Sequence, residues 1–584
     1  MSGKKFWLIL GTIMIVGAVL RFWGLGEFPM TLNRDEAAIG YNAYALLKSG
    51  HDEHGVAWPI NVESFGDWKL PVYIYLTVPM VAVFGLSAWS IKLPSALAGV
   101  AIIALVALLM RQLVNNYPGK DEQKAKNFTK KADVLALVTA GVVALMPWAI
   151  HLSRLTYEAN VAMMFFLLGW WLVEKYKGKV VAKTTRHWWQ NGLFLGGILS
   201  LGITLLTYHS YQAVLPLWIL LMWGFNWRWS GELWRRGKAT LAVMMVLVLV
   251  VGGVLLAGKT GAASTTKLSG LSIFEAAQYA PQQFLERQAL TNAEVPKIIQ
   301  SLYVNKFWLM GRQFASNLLT TFSANFNFVK GGSHGIHNVS NLANLYLFEV
   351  IFMLAGLAVF VREKRPWQVL IFGWLLVAAV APAMTIEPNH SIRFAAALGA
   401  LAIFVALGIV ALVNWRPVLK WPLGILYLFA IFYFCVSYFI VAPRLDIRNS
   451  AWIMEKAAAK ALAEKDNYDQ VILRFRKESP YIYMLFQSQY PPENLASHLK
   501  FLPPDYEGFT YAESLENVYF GEADWTALEA KEPAPKILHI LDEEQISTDR
   551  FETGDYRVLE KWQMPGDDRS IIVVEYLRLE KEVE

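Results

Sequence analysis

Two adjacent carboxylates, Asp35 and Glu36, follow the first long apolar run of the chain, in the stretch TLNRDEAAIG. A carboxylate can act as a general base, and it can also stabilise the first turn of a helix. Asn33 lies three residues before Glu36, which is the spacing of a capping box, so Glu36 has a structural explanation. Asp35 has only a weak structural explanation, because a helix does not require an acidic residue at its position in the first turn. We therefore expect Asp35 to carry chemistry and Glu36 mainly to cap the helix.

Other polar side chains stand at the ends of later apolar runs, where an ionisable group is costly and is therefore a candidate for function. Lys69 precedes a proline and an aromatic run, so it can either extend toward the membrane surface or bind a phosphate. Arg154 and Glu158 are four residues apart, and we expect them on one face of a helix at the start of a membrane span. Weaker candidates of the same kind are Tyr208, His209, His337 and Asn338.

The best candidate phosphate site is the stretch EPNHSIRFAAALG, where His390 and Arg393 are three residues apart. An arginine can bind phosphate through two parallel hydrogen bonds, and a helix start adds free backbone N–H groups. The run HDEH at 51–54 has metal-binding residue types, but consecutive side chains diverge. We therefore expect a solvated turn between Gly50 and Gly55.

The elements that position these residues are membrane helices. The chain has 584 residues, of which 55% are hydrophobic and 17% charged, and its mean hydropathy is +0.34, values that a soluble domain rarely reaches. We predict a polytopic α-helical membrane protein with about eleven transmembrane helices plus interfacial helices. The predicted spans are 6–23, 91–111, 134–151, 158–174, 190–207, 211–226, 239–257, 344–361, 367–383, 394–413 and 421–442.

Charge sets the predicted orientation. The basic loops after the second, fourth, sixth, eighth and tenth spans fall on the same side as Lys4 and Lys5, which the positive-inside rule makes cytoplasmic. The first span has no small-residue cleavage site and is predicted to be retained. A further span at residues 71–86 would place the later basic loops on the opposite side of the membrane. These residues are therefore predicted to form an interfacial or re-entrant helix. The chain is therefore expected in the cell (plasma or inner) membrane with a cytoplasmic N-terminus.

Beyond the last span the pattern changes to alternating strands and helices. Four segments predict strands and two predict helices, so we expect a C-terminal extracytoplasmic α/β domain at 443–584. The transmembrane domain is then 1–442, with outer loops at 24–90 and 258–343. The strand segments are YDQVILRF, PKILHILDE, DYRVLEKW and SIIVVEYL, and the helix segments are AWIMEKAAAKALAEK and SPYIYMLFQSQY.

Several classes of protein are disfavoured. The single cysteine, Cys435, cannot form a disulfide or thiolate metal framework within one chain. There is no P-loop and no GxGxxG after a strand, so no soluble nucleotide site is predicted. The net charge of +6 is explained by cytoplasmic loops, and we expect no nucleic-acid partner. What remains is an outer cavity with an acid, several cations and apolar walls, which suits transfer from a lipid-linked phosphate.

The same residues carry a resemblance to a known group. RDEAAIGYNAYALLKSGHDEHGVAWP, KLPVYIYLTVP, SRLTYEANVAM, IHNVSNLANLYLFEVIFMLAGL and EPNHSIRFAAALG stand in the order seen in membrane glycosyltransferases of the C-type fold. The chain resembles the protein O-mannosyltransferase and aminoarabinose transferase group, family 39-like, over roughly residues 1–440. Its outer tail also looks like that of the aminoarabinose branch.

The resemblance implies an inverting enzyme that moves one sugar from a polyprenyl-phosphate donor to an acceptor hydroxyl. It matches Asp35 to the catalytic base and Glu158 to a second catalytic acid. Relatives carry Arg-His-Asn where this chain has Ile336, His337 and Asn338, one cation fewer. The predicted donor-phosphate residues are Lys69, Arg393, His390 and Arg154, and the weaker substrate-binding candidates are Glu36, Tyr208, His209, His337 and Asn338.

Alternatives stay open at the level of sequence. A transporter or flippase of lipid-linked glycans also uses charges near the membrane, although its charges would sit at mid-span. A lipid-linked glycan polymerase or ligase, or a scaffold with a wall-binding outer domain, are further readings. No cofactor is required, but Asp35 and Glu158 could share a divalent cation. The expected acceptor is a protein, a lipid or a wall polymer.

Overall fold

A computed structural model describes residues 3–29, 31–117, 122–181, 192–226, 272–275, 279–333, 335–339, 342–445, 451–505, 508–521, 535–545, 556–563 and 569–576. The described helices, in chain order, are α1 (Gly3–Phe22), α2 (Arg34–Ser49), α3 (Pro71–Phe84), α4 (Ala88–Asn116), α5 (Glu122–Leu145), α6 (Pro147–Ser153), α7 (Glu158–Val181), α8 (Gly192–Leu205), α9 (Ser210–Phe225), α10 (Ala280–Asn292), α11 (Lys297–Tyr303), α12 (Lys306–Thr321), α13 (Glu349–Glu363), α14 (Pro366–Ala383), α15 (Leu398–Trp415), α16 (Lys420–Val436), α17 (Ala442–Leu445), α18 (Trp452–Glu464), α19 (Tyr481–Ser488) and α20 (Leu495–His498).

Strands occur in two places. The described strands are β1 (Val62–Ser64), β2 (Asp67–Lys69), β3 (Gln470–Leu473), β4 (Leu499–Phe501), β5 (Ala512–Leu515), β6 (Val518–Phe520), β7 (Ile537–Asp542), β8 (Tyr556–Gln563) and β9 (Ser570–Tyr576). β1 and β2 form an antiparallel hairpin, and the other seven strands form one sheet in the order β4-β5-β6-β3-β7-β9-β8. β3 runs parallel to β6 and β7, and the remaining neighbours are antiparallel.

The chain is a multi-pass membrane protein. Among the described residues, five helical segments are long and apolar enough to cross a membrane, and a bent pair of helices would make six. The predicted number of about eleven is therefore not confirmed by length and composition. Every predicted span falls on a described helix except 239–257, which lies outside the described residues. The predicted interfacial segment 71–86 is the short apolar helix α3.

One predicted span is broken in the structure. The run 134–151 was expected to be continuous, but α5 ends at Leu145, α6 begins at Pro147, and the two are bent by 61°. Pro147 lacks a backbone N–H and its ring collides with the preceding turn, which explains the break.

The chain divides into two compact units, residues 1–23 with 95–435, and residues 24–94 with 436–584. In the first unit, α7, α9 and α14 meet at a buried tryptophan cluster. The ring of Trp170 lies edge-on to Trp218 and to Trp374, with centroids 5.2 Å apart in each pair. Such edge-to-face pairs add to the free energy that burial of their large apolar area provides.

The second unit joins residues 24–94 to the tail. The apolar side of α2 packs into the core of the seven-stranded domain, so 24–94 groups with that domain rather than with the membrane helices, where 24–90 was predicted to belong. The four predicted strands and two predicted helices of the tail are present as β3, β7, β8, β9, α18 and α19. The three strands that the sequence did not reveal, β4, β5 and β6, are three or four residues long.

The crossing of α13 and α15 in the first unit depends on glycine. A Cβ on Gly408 would lie 1.9 Å from the carbonyl oxygen of Phe352, and one on Gly356 would lie 2.0 Å from that of Phe404. We expect Gly408→Ala to lower the free energy of unfolding by about 1–3 kcal/mol, because the backbones must separate. Thermal unfolding in detergent measures this. Gly424→Ala is the matched control, since nothing lies within 4 Å of its added carbon, and an equal loss in both variants would contradict the prediction.

Candidate functional site

Asp35, Glu36 and Lys69 lie in the second unit, at the start of α2 and the end of β2. Asn33 caps α2: its side-chain oxygen accepts a hydrogen bond from Glu36 N at 2.9 Å, and Glu36 Oε2 accepts one from Asn33 N at 3.1 Å. This capping box confirms the predicted role of Glu36, whose side chain is buried. The helix ends at Gly50 in the left-handed conformation, as the sequence indicates.

Asp35 is oriented differently from Glu36. Its side chain is 52% exposed, and its Oδ1 accepts a hydrogen bond of 2.9 Å from Lys69 Nζ, whose own side chain is only 6% exposed. Lys69 Nζ also lies 3.4 Å from Asp67 Oδ2. The structure therefore brings together two residues that the sequence singled out separately, an acid and a cation that was predicted to bind phosphate.

The hairpin explains how Lys69 reaches Asp35. β1 and β2 are joined by Phe65 and Gly66, both with positive φ, which matches the turn that twists two short strands together. A Cβ on Gly66 would lie 2.3 Å from the carbonyl oxygen of Gly508, so only glycine fits there. The strand ends at Lys69, and Pro71 then starts α3 at a position where its missing N–H is not needed.

The run at 51–54 corrects one prediction. It forms a turn between Gly50 and Gly55 in which His51 is exposed, as predicted, but Asp52 and Glu53 are buried. Asp52 Oδ1 accepts hydrogen bonds from the N–H groups of His54 and Val56. Burial raises the pKa of Glu53 to about 7, and the nearby His54 opposes this shift. The charged residue types of this run favour exposure to solvent. The side chains of Asp52 and Glu53 are nevertheless buried, because they pack inside the second unit.

In the first unit, three segments converge: the turn 154–157, residues 331–333 with 335–339, and the stretch 385–393. The rings of His337 and His390 lie 4.4 Å apart, and His337 is edge-on to Tyr157 at 5.6 Å. Ser391 Oγ bonds to Asn338 Oδ1 at 2.8 Å. A Cβ on Gly332 would lie 2.7 Å from Asn338 Nδ2, so glycine permits this close approach.

Arg393 lies at the edge of the same group. Its Nη1 donates to Thr385 Oγ1 at 3.0 Å, and its backbone N–H donates to His390 Nδ1 at 3.4 Å. Burial lowers the pKa of Arg393, while Tyr208 and Glu387 oppose the shift. Tyr208 therefore belongs to the surroundings of Arg393. His209 is exposed and occupies the position before α9, where its side chain makes no capping hydrogen bond.

Arg154 and Glu158 do not share a helix, which corrects the predicted common face. Arg154 follows the end of α6, Glu158 begins α7, and a turn separates them. Arg154 is buried, and its Nη1 donates to the carbonyl oxygens of Leu20 and Arg21, both at 3.0 Å. These contacts anchor the end of α1, so at least one nitrogen of the Arg154 guanidinium is used to hold the structure.

Some residues of this group were missed by the sequence. Tyr157 and His151 both contact the carbonyl oxygen of Ile336, at 3.4 and 3.2 Å, and Asn344 Oδ1 accepts from Ser391 Oγ at 3.0 Å. The available signal in the sequence was the polar residues that flank these turns between apolar runs. Among the described residues, no group of three or more His, Cys, Asp or Glu side chains forms a metal-binding cluster.

Comparison with known proteins bears on the fold. No protein-family model and no curated protein matches the sequence. The chain is similar to the archaeal oligosaccharyltransferase AglB from Archaeoglobus fulgidus, solved with an inhibitory peptide and a dolichol-phosphate, at 14% identity and a TM-score of 0.44. That match covers 83% of this chain and 64% of AglB, so the chain spans less than two thirds of that protein.

A second similar structure matches along nearly its whole length. It is ArnT from Cupriavidus metallidurans bound to undecaprenyl phosphate, at 13% identity and a TM-score of 0.42, with 98% of both chains covered. AglB and ArnT are membrane glycosyltransferases of the C-type fold, the group that the sequence resembles. Because the likeness concerns the fold, we base the proposed function on the residues of this chain.

Proposed function

We propose that this protein is an integral-membrane inverting glycosyltransferase that moves one sugar from a polyprenyl-phosphate donor to an acceptor hydroxyl. The observation that carries the proposal is the contact of 2.9 Å between Asp35 and Lys69. A half-exposed carboxylate at a rigid helix start is suited to take a proton, and a lysine beside it is suited to meet a phosphate. The N-terminus is cytoplasmic in this proposal, and the acceptor and the tail are extracytoplasmic.

The proposed reaction is one displacement. The acceptor oxygen attacks the anomeric carbon and transfers its proton to Asp35, while the bond from that carbon to the phosphate oxygen breaks. Polyprenyl phosphate leaves with the electron pair of the broken bond, and cations stabilise the charge that it gains. Attack opposite to the leaving group inverts the anomeric centre. Lys69 is the proposed phosphate-binding residue beside Asp35. From the sequence, Arg393 and His390 of the first unit are further candidates for phosphate binding, and Glu158 is a candidate second acid.

A phosphate role for Arg393 has a specific consequence. The guanidinium offers a planar fork that a lysine cannot reproduce. We expect Arg393→Lys to raise the donor KM about tenfold, with a smaller effect on kcat, because one hydrogen bond to phosphate is worth about 1.5–3 kcal/mol. Steady-state kinetics with a varied donor concentration measures this. The control is Arg312→Lys, at an exposed position of α12, and an unchanged donor KM for Arg393→Lys would remove Arg393 from the phosphate site.

The experiment that tests the function uses purified protein in nanodiscs with a polyprenyl-phosphate hexose or pentose. Each donor is combined with a serine peptide, a lipid hydroxyl or a wall polymer as acceptor. Release of polyprenyl phosphate together with a glycosylated acceptor is expected for at least one pair. Movement of intact donor across the bilayer without release would favour a flippase, and chain extension on a lipid-linked glycan would favour a polymerase or ligase.

A further inference from the structure

The helix that carries Asp35 is held by residues of the tail within the second unit. Leu32 N donates to Glu455 Oε1 at 2.7 Å, Arg34 Nη1 donates to the carbonyl oxygen of Lys477 at 3.2 Å, and Tyr41 OH donates to that of Tyr490 at 2.9 Å. These contacts join positions more than 400 residues apart in sequence. The first turns of α2 are therefore held by the tail as well as by their own capping box.

Glu455 makes the contact nearest to the start of the helix. It lies in the first turn of α18 and accepts from Leu32, the residue immediately before the cap Asn33. The N–H of Asn33 is bound by Glu36, so Glu455 and Glu36 hold two consecutive N–H groups. A second contact steadies Glu455 itself, because Gln487 Nε2 donates to its carbonyl oxygen at 3.0 Å.

The carboxyl of Glu455 is in an unfavourable place for a charge. Burial raises its pKa to about 7, Glu36 of α2 adds to the rise, and the backbone N–H of Leu32 and the ammonium of Lys92 at the start of α4 oppose it. The phenol of Tyr483 on α19 also faces it, and its own pKa is raised. A buried acid that also accepts the N–H of Leu32 beside the cap of α2 is a candidate for a role beyond stability, since groups of this kind concentrate at functional sites.

We propose that Glu455 is a positioning residue for the catalytic base, setting the place of Asp35 through the N–H of Leu32. The inference rests on the proposed function of Asp35. Asp35 follows Leu32 by three residues, and its carboxylate points away from the helix and accepts a hydrogen bond from Lys69. Loss of the Leu32 anchor lets the start of the helix shift, and a displacement of about 1 Å at a reacting group costs on the order of 100-fold in rate.

The test compares three substitutions in the full-length protein. Glu455→Ala removes the acceptor, Glu455→Gln keeps an acceptor oxygen at the same length, and Glu464→Ala makes the same truncation at the end of α18, where the side chain bonds to Lys460 and Asn467 instead. We expect kcat to fall about 10-fold or more in Glu455→Ala, with the donor KM within about twofold. Glu455→Gln should stay within about threefold of wild type, as should Glu464→Ala.

Hydrogen exchange of a peptide that covers Leu32 to Glu36 gives a readout that needs no donor. We expect it to exchange at least about fivefold faster in Glu455→Ala and at the wild-type rate in Glu464→Ala.

Wild-type kcat in Glu455→Ala, or equal losses of kcat in the alanine and glutamine variants, would overturn the inference. If Glu455→Ala fails to fold, Glu455→Asp, which withdraws the acceptor by one methylene, carries the same test. An inactive wild-type protein would instead refute the proposed function. The hydrogen-exchange result would still test whether the bond between Leu32 and Glu455 holds the start of α2.

Discussion

Asp35→Asn is expected to lower turnover about 100-fold or more while the protein stays folded. The amide has nearly the same shape as the carboxylate but cannot take a proton from an acceptor hydroxyl, and general-base catalysis contributes about 10²–10⁴-fold. Because the side chain is half exposed and the cap of α2 is provided by Asn33 and Glu36, the helix does not depend on Asp35. Single-turnover release of polyprenyl phosphate measures the loss, and the melting temperature monitors the fold.

Glu36→Gln is the matched control for Asp35. It changes the neighbouring carboxylate in the same way, yet the amide oxygen can still accept from Asn33 N in the capping box. We expect its turnover to stay within about fivefold of wild type, since it caps the helix and takes no proton. Turnover of Asp35→Asn near the wild-type level, or a larger loss in Glu36→Gln, would refute the assignment of Asp35 as the base.

Lys69→Met is expected to lower donor kcat/KM about 100-fold. The methionine fills similar volume but leaves the carboxylates of Asp35 and Asp67 without the ammonium between them. A donor phosphate then loses an attractive charge and meets two negative ones, a change comparable to removing one stabilising donor from a catalytic site, about 10²–10³-fold. Steady-state kinetics over a range of donor concentrations measures the effect.

Lys48→Met is the control for that substitution. Lys48 lies exposed in the last turn of α2, with its ammonium over the ring of Tyr44, and has no proposed part in phosphate binding. Its kcat/KM should match wild type. If Lys69→Met keeps wild-type kcat/KM, or loses activity only together with its melting transition, the lysine is structural and the phosphate-binding assignment fails.

Local sequence was sufficient where neighbours along the chain decide the structure. The capping box of Asn33 and Glu36 and the end of α2 at Gly50 are set within a few residues, and both were predicted. The strands β3, β7, β8 and β9 were also predicted, because short runs rich in Val, Ile and Leu favour strands, and β3, β7 and β9 are buried at nearly every position.

Sequence was insufficient where a distant segment decides. The burial of Glu53 depends on packing within the second unit, and nothing in the run HDEH reveals it. The contact of Lys69 with Asp35 joins positions 34 residues apart through a hairpin whose strands are only three residues long. Arg154 was read as part of a helical pair, but a turn follows it and the carbonyl oxygens of α1 bind it.

The central claim is that Asp35 serves a single displacement at the anomeric carbon, and the anomeric configuration of the product tests it most directly. Purified protein is given a polyprenyl-phosphate sugar of defined anomer, and the glycosylated acceptor from a single turnover is analysed by NMR. We predict that the product has the configuration opposite to that of the donor. A product with the donor's own configuration would require a covalent intermediate and a nucleophile, and would contradict the role of Asp35 as the base of one inverting step.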